Sequence, residues 1–433
     1  MTLTKKFKEF FMKTDHDFDS PNINLINFHP RLYIYLAIMG IFTNNRESLI
    51  RFILPCLCIL FIIVSIVLES LCVFHGITVK DYSLATECFL YCLVLGMVLV
   101  VYYGTLTNKD KILHLIEDMN NDFLFIRIMD FKYRNTFLRG QLLIHKLCCA
   151  WYLFSIIIGI LYISLLIGSL VMHSLFGSLE SDVRPLMFPI WLPAGDPYRT
   201  PNYEILLFIE LCSLSITDHL FAGYISMLLH VLLHYYYILE LITKDFEVIF
   251  DGLDETVTYL SPQHPIRMQA QYTLSSRMKR IVNWHLSVFK SVKTISSVFG
   301  PPIMYQVMFS GMGLCLVSYQ IADKLENGNV DIIFIMLLVG GCYQLLVPCF
   351  LGTLLRDKGY AVGDACWNSD WYKTRLGILI RADMLLVIHR SQRPVTIKFI
   401  GLPQLQLETF SSIITTAYSY FNMLRKYNSD LRP

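Results

Sequence analysis

Charge is scarce in this chain. Only 16% of its 433 residues are Asp, Glu, Lys or Arg, against about 25% in an average soluble domain, while 55% are hydrophobic. A water-soluble globule is therefore not expected. Net charge is scarce as well: 36 basic and 34 acidic side chains leave +2, so no strongly basic face is available for a phosphate backbone. Nucleic acid is not an expected partner. The chain also lacks GxSxG, HExxH, GxxxxGK[ST] and GxGxxG, which leaves a hydrolase, kinase or dinucleotide enzyme without support. Its twelve cysteines fall mostly within apolar runs, where a thiol behaves as a small hydrophobe, and form no disulfide framework or zinc spacing. No enzyme activity, cofactor or metal is expected. No internal repeat or low-complexity tract appears, so an inverted-repeat transporter is not suggested. The first nineteen residues carry Lys5, Lys6, Lys8 and Lys13 without an apolar run or cleavage site, and the N-terminus is expected to stay in the cytosol.

What is abundant is long apolar runs. A spanning helix needs about 20 apolar residues, and seven windows qualify: Ile50 to Phe74, Leu84 to Leu106, Leu142 to Met172, Ile205 to Tyr236, Ile303 to Ala322, Ile332 to Leu355 and Leu405 to Leu424. Phe28 to Phe42 is apolar but short and suits an interfacial or half-inserted helix. Basic residues favour the cytoplasmic side. Counted on alternate sides, Lys and Arg number 29 against 7, which puts the N-terminus inside and the C-terminus outside. The expected fold is an all-α integral membrane protein with seven transmembrane helices in this inverted topology. Residues 1-49 form a cytoplasmic segment with a short interfacial helix, and 50-236 hold the first four spans. A cytoplasmic amphipathic region follows at 237-302, then spans five and six at 303-355, a cytoplasmic segment at 356-404 and the last span with an extracellular tail at 405-433. The triplet Gly300-Pro301-Pro302 is expected to break or kink the fifth helix.

Several side chains stand out. His230 and His234 lie four apart, as in helical metal sites, but no third ligand is evident; polar residues in a headgroup belt with Tyr235, Tyr236 and Tyr237 explain them more simply. Glu69 and Glu87 sit near outer span ends, where interfacial snorkelling accounts for them. Glu210 and Asp218 are deeper and either pair with a neighbour or line a wet cavity. The outer halves of spans two to six are rich in aromatic, sulfur and small residues: Phe89, Tyr91, Cys92, Ser155, Ile158, Gly159, Tyr162, Phe208, Leu211, Cys212, Met308, Met312, Cys315, Ile335, Leu338 and Val339. Such a set suits a pocket for a small apolar ligand, with no cation or anion to serve a charged one. Ordinary helix packing has the same composition. The last window is dense in Ser, Thr and Tyr. Its Thr416, Tyr420, Met423 and Tyr427 make one helical stripe, which suits either a channel built from several copies or a helix buried in a bundle.

The run Trp367-Asn368, Trp371-Tyr372, Arg390-Ser391-Gln392-Arg393-Pro394, Gly401 and Phe410 through Leu424, with Ser419-Tyr420-Phe421, resembles the C-terminal signature of insect odorant receptors. It covers roughly Asp364 to Arg425, and span number, inverted topology and length extend it. The resemblance implies a ligand-gated, non-selective cation channel passing Na+, K+ and Ca2+ in the plasma membrane of sensory neurons. There it would be a tetramer in membrane lipid that opens to a small volatile apolar odorant. It implies a pore at Thr416, Tyr420, Met423 and Tyr427, with the constriction near Met423, and a cytoplasmic anchor at Trp367, Trp371 and Tyr372. The short stretch between spans four and five matches a tuning subunit that assembles with a coreceptor. The related gustatory receptors end in a TYhhhhhQF pattern, from which the AYSYFNML after Thr416 departs. A G-protein-coupled receptor would need the opposite topology.

Overall fold

The computed structural model describes residues 23–41, 50–176, 184–326, 328, 330–393, 395–397 and 404–431. The lysine-rich first nineteen residues, and Pro394 and Gly401 of the C-terminal signature, lie outside the described residues. All regular structure among those described is helical: α1 (Leu25–Phe28), α2 (Pro30–Ile38), α3 (Ile50–Val79), α4 (Tyr82–Thr107), α5 (Lys109–Arg127), α6 (Phe131–Phe176), α7 (Asn202–Glu247), α8 (Pro265–Glu326), α9 (Ile332–Asn368), α10 (Arg381–Ser391) and α11 (Leu407–Leu431), with two short 3-10 turns at Glu255–Tyr259 and Arg375–Ile380. Among the described residues, five helical stretches are long and apolar enough to cross a membrane: Ile53–Val79, Tyr82–Thr107, Phe131–Leu175, Asn202–Glu247 and Ile332–Asn368. The windows in α8 and α11 are not in that set, since Gln306, Ser310, Ser318 and Gln320 dilute one and the Ser/Thr run of α11 the other.

Helices begin where a side chain can satisfy the free N–H groups of a first turn. Asp81 accepts from Leu84 N at 3.0 Å to start α4, and Asp331 accepts from Ile333 N at 3.0 Å to start α9. Several helices run past the expected membrane windows. The boundaries at 236, 302 and 355 all fall inside continuous helices. Most notably, α8 continues unbroken through Pro301 and Pro302 for 62 residues, about 93 Å at 1.5 Å per residue. Of the expected break or kink, the break is absent, since packing outweighs the missing backbone bonds. Val298, Phe299, Pro302 and Ile303 are all buried, and the Pro302 ring fills the space over Gly104 of α4, where an added Cβ would come within 2.8 Å of its Cγ.

At the centre stands α7, which touches α2, α3, α4, α6, α8 and α9. From Ala222 to Tyr235 every residue of it is buried, so this half is enclosed all round. The largest core cluster gathers here and extends through α1, α2, α5, α8, α9 and α10. The stretch from Phe28 to Ile41 is part of that core: Leu32, Leu36 and Met39 are fully buried beside α7. At the opposite end, where the 184–201 segment lies, the core divides into three small clusters around open space.

The histidines belong to the dense end and not to a headgroup belt. His29 Nε2 and Gln141 Oε1 are 3.0 Å apart, Gln141 Nε2 and His234 Nδ1 3.2 Å, and His234 Nε2 and Asp122 Oδ2 3.1 Å, so one chain of hydrogen bonds ties the junction of α1 and α2 to α6, α7 and α5. His230 turns instead to Cys148 and the Ser226 carbonyl. Tyr235 is buried with them, and only Tyr236 and Tyr237 are partly exposed. No group of three metal-ligating side chains exists among the described residues.

Candidate functional site

The open space is a cavity of two adjoining lobes, each of about 190 Å³. A core hole of ~150 Å³ already admits benzene. The lobes share Val94, Met97, Ile158, Tyr162, Asp218, Phe221, Leu337 and Gln344. Beyond these, the first lobe is closed by α8, through Phe309, Ser310, Gly313, Leu314 and Val317, and by Trp151 and Ser155 of α6. The second is closed by Ser65, Leu68 and Glu69 of α3, Tyr91 of α4, Glu210 of α7, and Phe188 and Ile190 of the 184–201 segment.

That segment is held as a plug by an acid. Glu210 is buried, and its carboxylate accepts from Met187 N at 3.0 Å and Phe188 N at 3.3 Å, which fixes the Phe188 ring 4.5 Å from the Tyr91 ring. Trp191 stacks on His75 at 4.5 Å, and Tyr203 donates to the Pro185 carbonyl at 2.9 Å. Glu210 and Asp218 each have a polar neighbour, and both also border the cavity. Asp218 accepts from Ser155 Oγ. Glu69 is only 3% exposed and borders the second lobe, so it does not snorkel; Glu87 instead pairs with Lys324 at 3.6 Å. The cavity therefore carries three carboxyl groups, contrary to the expectation of a wall without charge.

Of the expected ligand-site residues, Tyr91, Ser155, Ile158, Gly159 and Tyr162 come together on the cavity. Phe89, Phe208, Ile335 and Val339 do not, for they are exposed on the outside of the bundle, as are Met308 and Met312. Leu211 and Leu338 pack in the small clusters, Cys315 joins Leu314 and Ala417, and Cys212 does not border the cavity. Apolar and aromatic side chains suit a lipid-facing surface and a cavity equally, so depth alone did not fix helix rotation. Missing from the expected set were Val94, Met97, Phe221, Leu337 and Gln344. The intramembrane acids were the usable signal.

The last helix is two-faced. Phe410, Ile413, Ile414, Ala417, Phe421 and Leu424 turn toward α8 and α9, whereas Ser412, Thr415, Thr416, Ser419, Tyr420 and Met423 stand exposed on the other face. The Thr415, Thr416 and Ser419 hydroxyls donate to carbonyls four residues back at 2.8–2.9 Å, which satisfies them within the helix. The Tyr427 side chain lies outside the described residues. Leu314 borders the first lobe and belongs to the same small cluster as Ala417, so this cluster has the cavity on one side and α11 on the other.

In the expected anchor, Trp371 is buried while Trp367 is half exposed and stacks on Tyr372 at 4.8 Å. The signature residue Arg390 lies 3.6 Å over the Phe289 ring, and Ser391 sits against Gly363, where a Cβ has no room. These contacts join α10 to α8 and α9.

A bundle that is all helical among the described residues, with several membrane-length apolar helices and a cavity between them, is the architecture of a multi-pass membrane protein. Comparison with known proteins narrows this further. Residues 125–418 match the family model described as 7tm Odorant receptor, and the chain belongs to that family, a class of receptors and not of enzymes. It is 28% identical to odorant receptor 13a of Drosophila melanogaster over 164 residues, 36% of this chain and 39% of that one. It is 23% identical to odorant receptor 67c of the same fly over 145 residues, covering 34% and 35% of the two chains. The sequence match thus spans little more than a third of these relatives' own length. In fold, the structure of the olfactory receptor OR5 from Machilis hrabei in complex with eugenol superposes with a TM-score of 0.73 at 15% identity, over 93% of this chain and 98% of that one.

Proposed function

We propose that this chain is an odorant receptor subunit that binds a small, largely apolar volatile in the two-lobed cavity and opens a non-selective cation channel formed with coreceptor subunits in the sensory-neuron plasma membrane. The observation that carries this reading is Leu314, with the cavity on one side and α11 on the other. A ligand that favours one packing of α8 against α11 biases the last helix, provided that it binds the open arrangement more tightly than the closed one. The exposed Ser412, Thr416, Ser419 and Met423 face is what a subunit would contribute to a shared pore. Seven spans, the inverted topology and the anchor formed by Trp371 and its neighbours complete the proposal. Eugenol, with which OR5 forms its complex, fits the same class of ligand.

The test of function is membrane current in cells expressing this chain with a coreceptor while G-protein signalling is blocked. Odorant-evoked current under block supports the channel, and its disappearance favours a G-protein-coupled mechanism. Topology has its own expected result: a tag ahead of Met1 is reached by antibody only after permeabilisation, and one after Pro433 on intact cells. Surface labelling of the first tag would defeat the inverted arrangement.

Tyr162 is a wall of both lobes. Removing its ring takes away contact for any ligand lying across them, so Tyr162→Ala is expected to move the dose-response curve right by at least about tenfold, ~1.4 kcal/mol, with surface level and single-channel conductance kept. An unchanged curve would place the binding site elsewhere.

A further inference from the structure

We infer that the ligand carries a hydrogen-bond-donating head group, an N–H or O–H on an otherwise apolar body, and that Glu69 in the second lobe receives it. This rests on the cavity being the ligand site. The argument begins with the lining. Glu69, Glu210 and Asp218 border the cavity, and no Lys, Arg or His does so among the described residues. The three acids are not equivalent. Both oxygens of Glu210 are taken by the Met187 and Phe188 amides, and Asp218 is engaged by Ser155. Glu69 keeps its Oε2 buried without any hydrogen-bond partner, although the residue is almost fully enclosed.

A buried carboxyl oxygen without a donor is costly. A ligand that supplies the donor relieves that cost, whereas an alkane or a carbonyl compound of equal length leaves it in place. Binding energy thereby becomes selectivity for head-group chemistry, over and above the burial of the apolar body in the rest of the cavity. Tyr162 OH and Thr217 Oγ1 also lack partners and their residues line the same lobe, so hydroxyls that both donate and accept are available to a second polar atom of the ligand. The Tyr91 and Phe188 rings form an apolar side of this lobe. An alkylammonium ion and an alcohol share the required chemistry. The ammonium adds charge complementarity to a wall that has only acids.

The test uses the purified full-length chain in lipid nanodiscs, alone and co-assembled with coreceptor, and four eight-carbon probes: octylamine, 1-octanol, octanal and octane. Binding is read from tryptophan fluorescence, since Trp151 borders the first lobe, and from ligand-induced thermal stabilisation. Octylamine and octanol are expected to bind at least tenfold more tightly than octanal and octane. Glu69→Leu should bring all four within about threefold. Glu69→Gln fills the same volume but exchanges an acceptor for an N–H donor, and should shift the ranking toward octanal even if the leucine variant fails to fold. A tenfold lead for octylamine over octanol that vanishes in Glu69→Gln identifies the ammonium; parity between them identifies the hydroxyl as sufficient. Four equal affinities in the unsubstituted chain, a ranking untouched by Glu69→Gln, or no binding of any probe would overturn the assignment. Because binding is measured without current, a chain that ranks the probes through Glu69 yet conducts nothing removes the channel reading alone. A conducting chain with no such ranking removes the head-group assignment alone.

Discussion

Replacing Met423 with serine is expected to raise ligand-free current several-fold while leaving odorant ranking intact. The residue is 61% exposed on a single subunit, on the same face of α11 as Ser412, Thr416 and Ser419 and opposite the face that packs on α8. In an assembled pore, a ring of apolar side chains excludes hydrated ions by dewetting, and a small hydroxyl removes that barrier. Coreceptor side chains share the ring and reduce the effect in proportion to their number. Cysteine substitution along α11 gives the sharper measurement. Block by a thiol-reactive cation applied from outside is expected at positions 416, 420 and 423, and not at Ala417 or Phe421, which face inward. Uniform or absent block would make α11 a packing helix.

The second large effect concerns the opposite end of the molecule. Gln141→Leu is expected to cost several kcal/mol, read as a lower melting temperature and lower yield of mature protein, because two buried histidine nitrogens lose their partner together. At about 1–3 kcal/mol for each polar group left unsatisfied, the sum is on the order of 2–6 kcal/mol. Acid should act on the same region. Burial, followed by the neighbouring His230, holds His29 well below the ordinary imidazole range. Burial and then Arg390 bring His285 down to about 4. Between roughly pH 6.5 and 4 the unfolded chain takes up protons that the folded one refuses, so stability present above the unfolded value is lost as pH falls through this window. The melting temperature of the purified chain should therefore decline from pH 7.5 to 5, and His285→Gln should flatten that slope. A pH-independent melting temperature over this range would mean that neither imidazole is held neutral.

Much of the architecture was legible because helical periodicity and apolar length are local properties. The windows starting at Ile50, Leu84 and Ile332 each coincide with a long helix, and the run around Ile281, Trp284 and Val288 is the buried side of α8. What depended on neighbours was not legible. Pro301 and Pro302 read as a break until Gly104 is seen to receive the second ring. His230 and His234 read as belt residues because their partners Cys148, Gln141 and Asp122 come from distant segments. The cavity was half legible. Tyr91, Ser155, Ile158, Gly159 and Tyr162 lay at the right depth on the right face, while Phe208 and Val339 shared the depth and composition but not the rotation. Nothing in the spelling of residues 184–201 announced a plug. Its docking depends on Glu210, whose meaning appears only when two amides approach it.

The two lobes differ in one respect that bears on pharmacology. The second lobe, where Glu69 lies, has no residue of α8 in its wall, whereas the first is bounded by Phe309, Ser310, Gly313, Leu314 and Val317. If the proposed route from cavity to α11 holds, affinity and efficacy are separable by molecular length. A compact molecule lodged wholly beside Glu69 is then expected to occupy the cavity without pressing on the long helix and to act as a competitive antagonist. A homologue a few carbons longer is expected to reach Leu314 and to act as an agonist. Along a homologous series, activation should switch on at a threshold chain length, while occupancy grows smoothly across it.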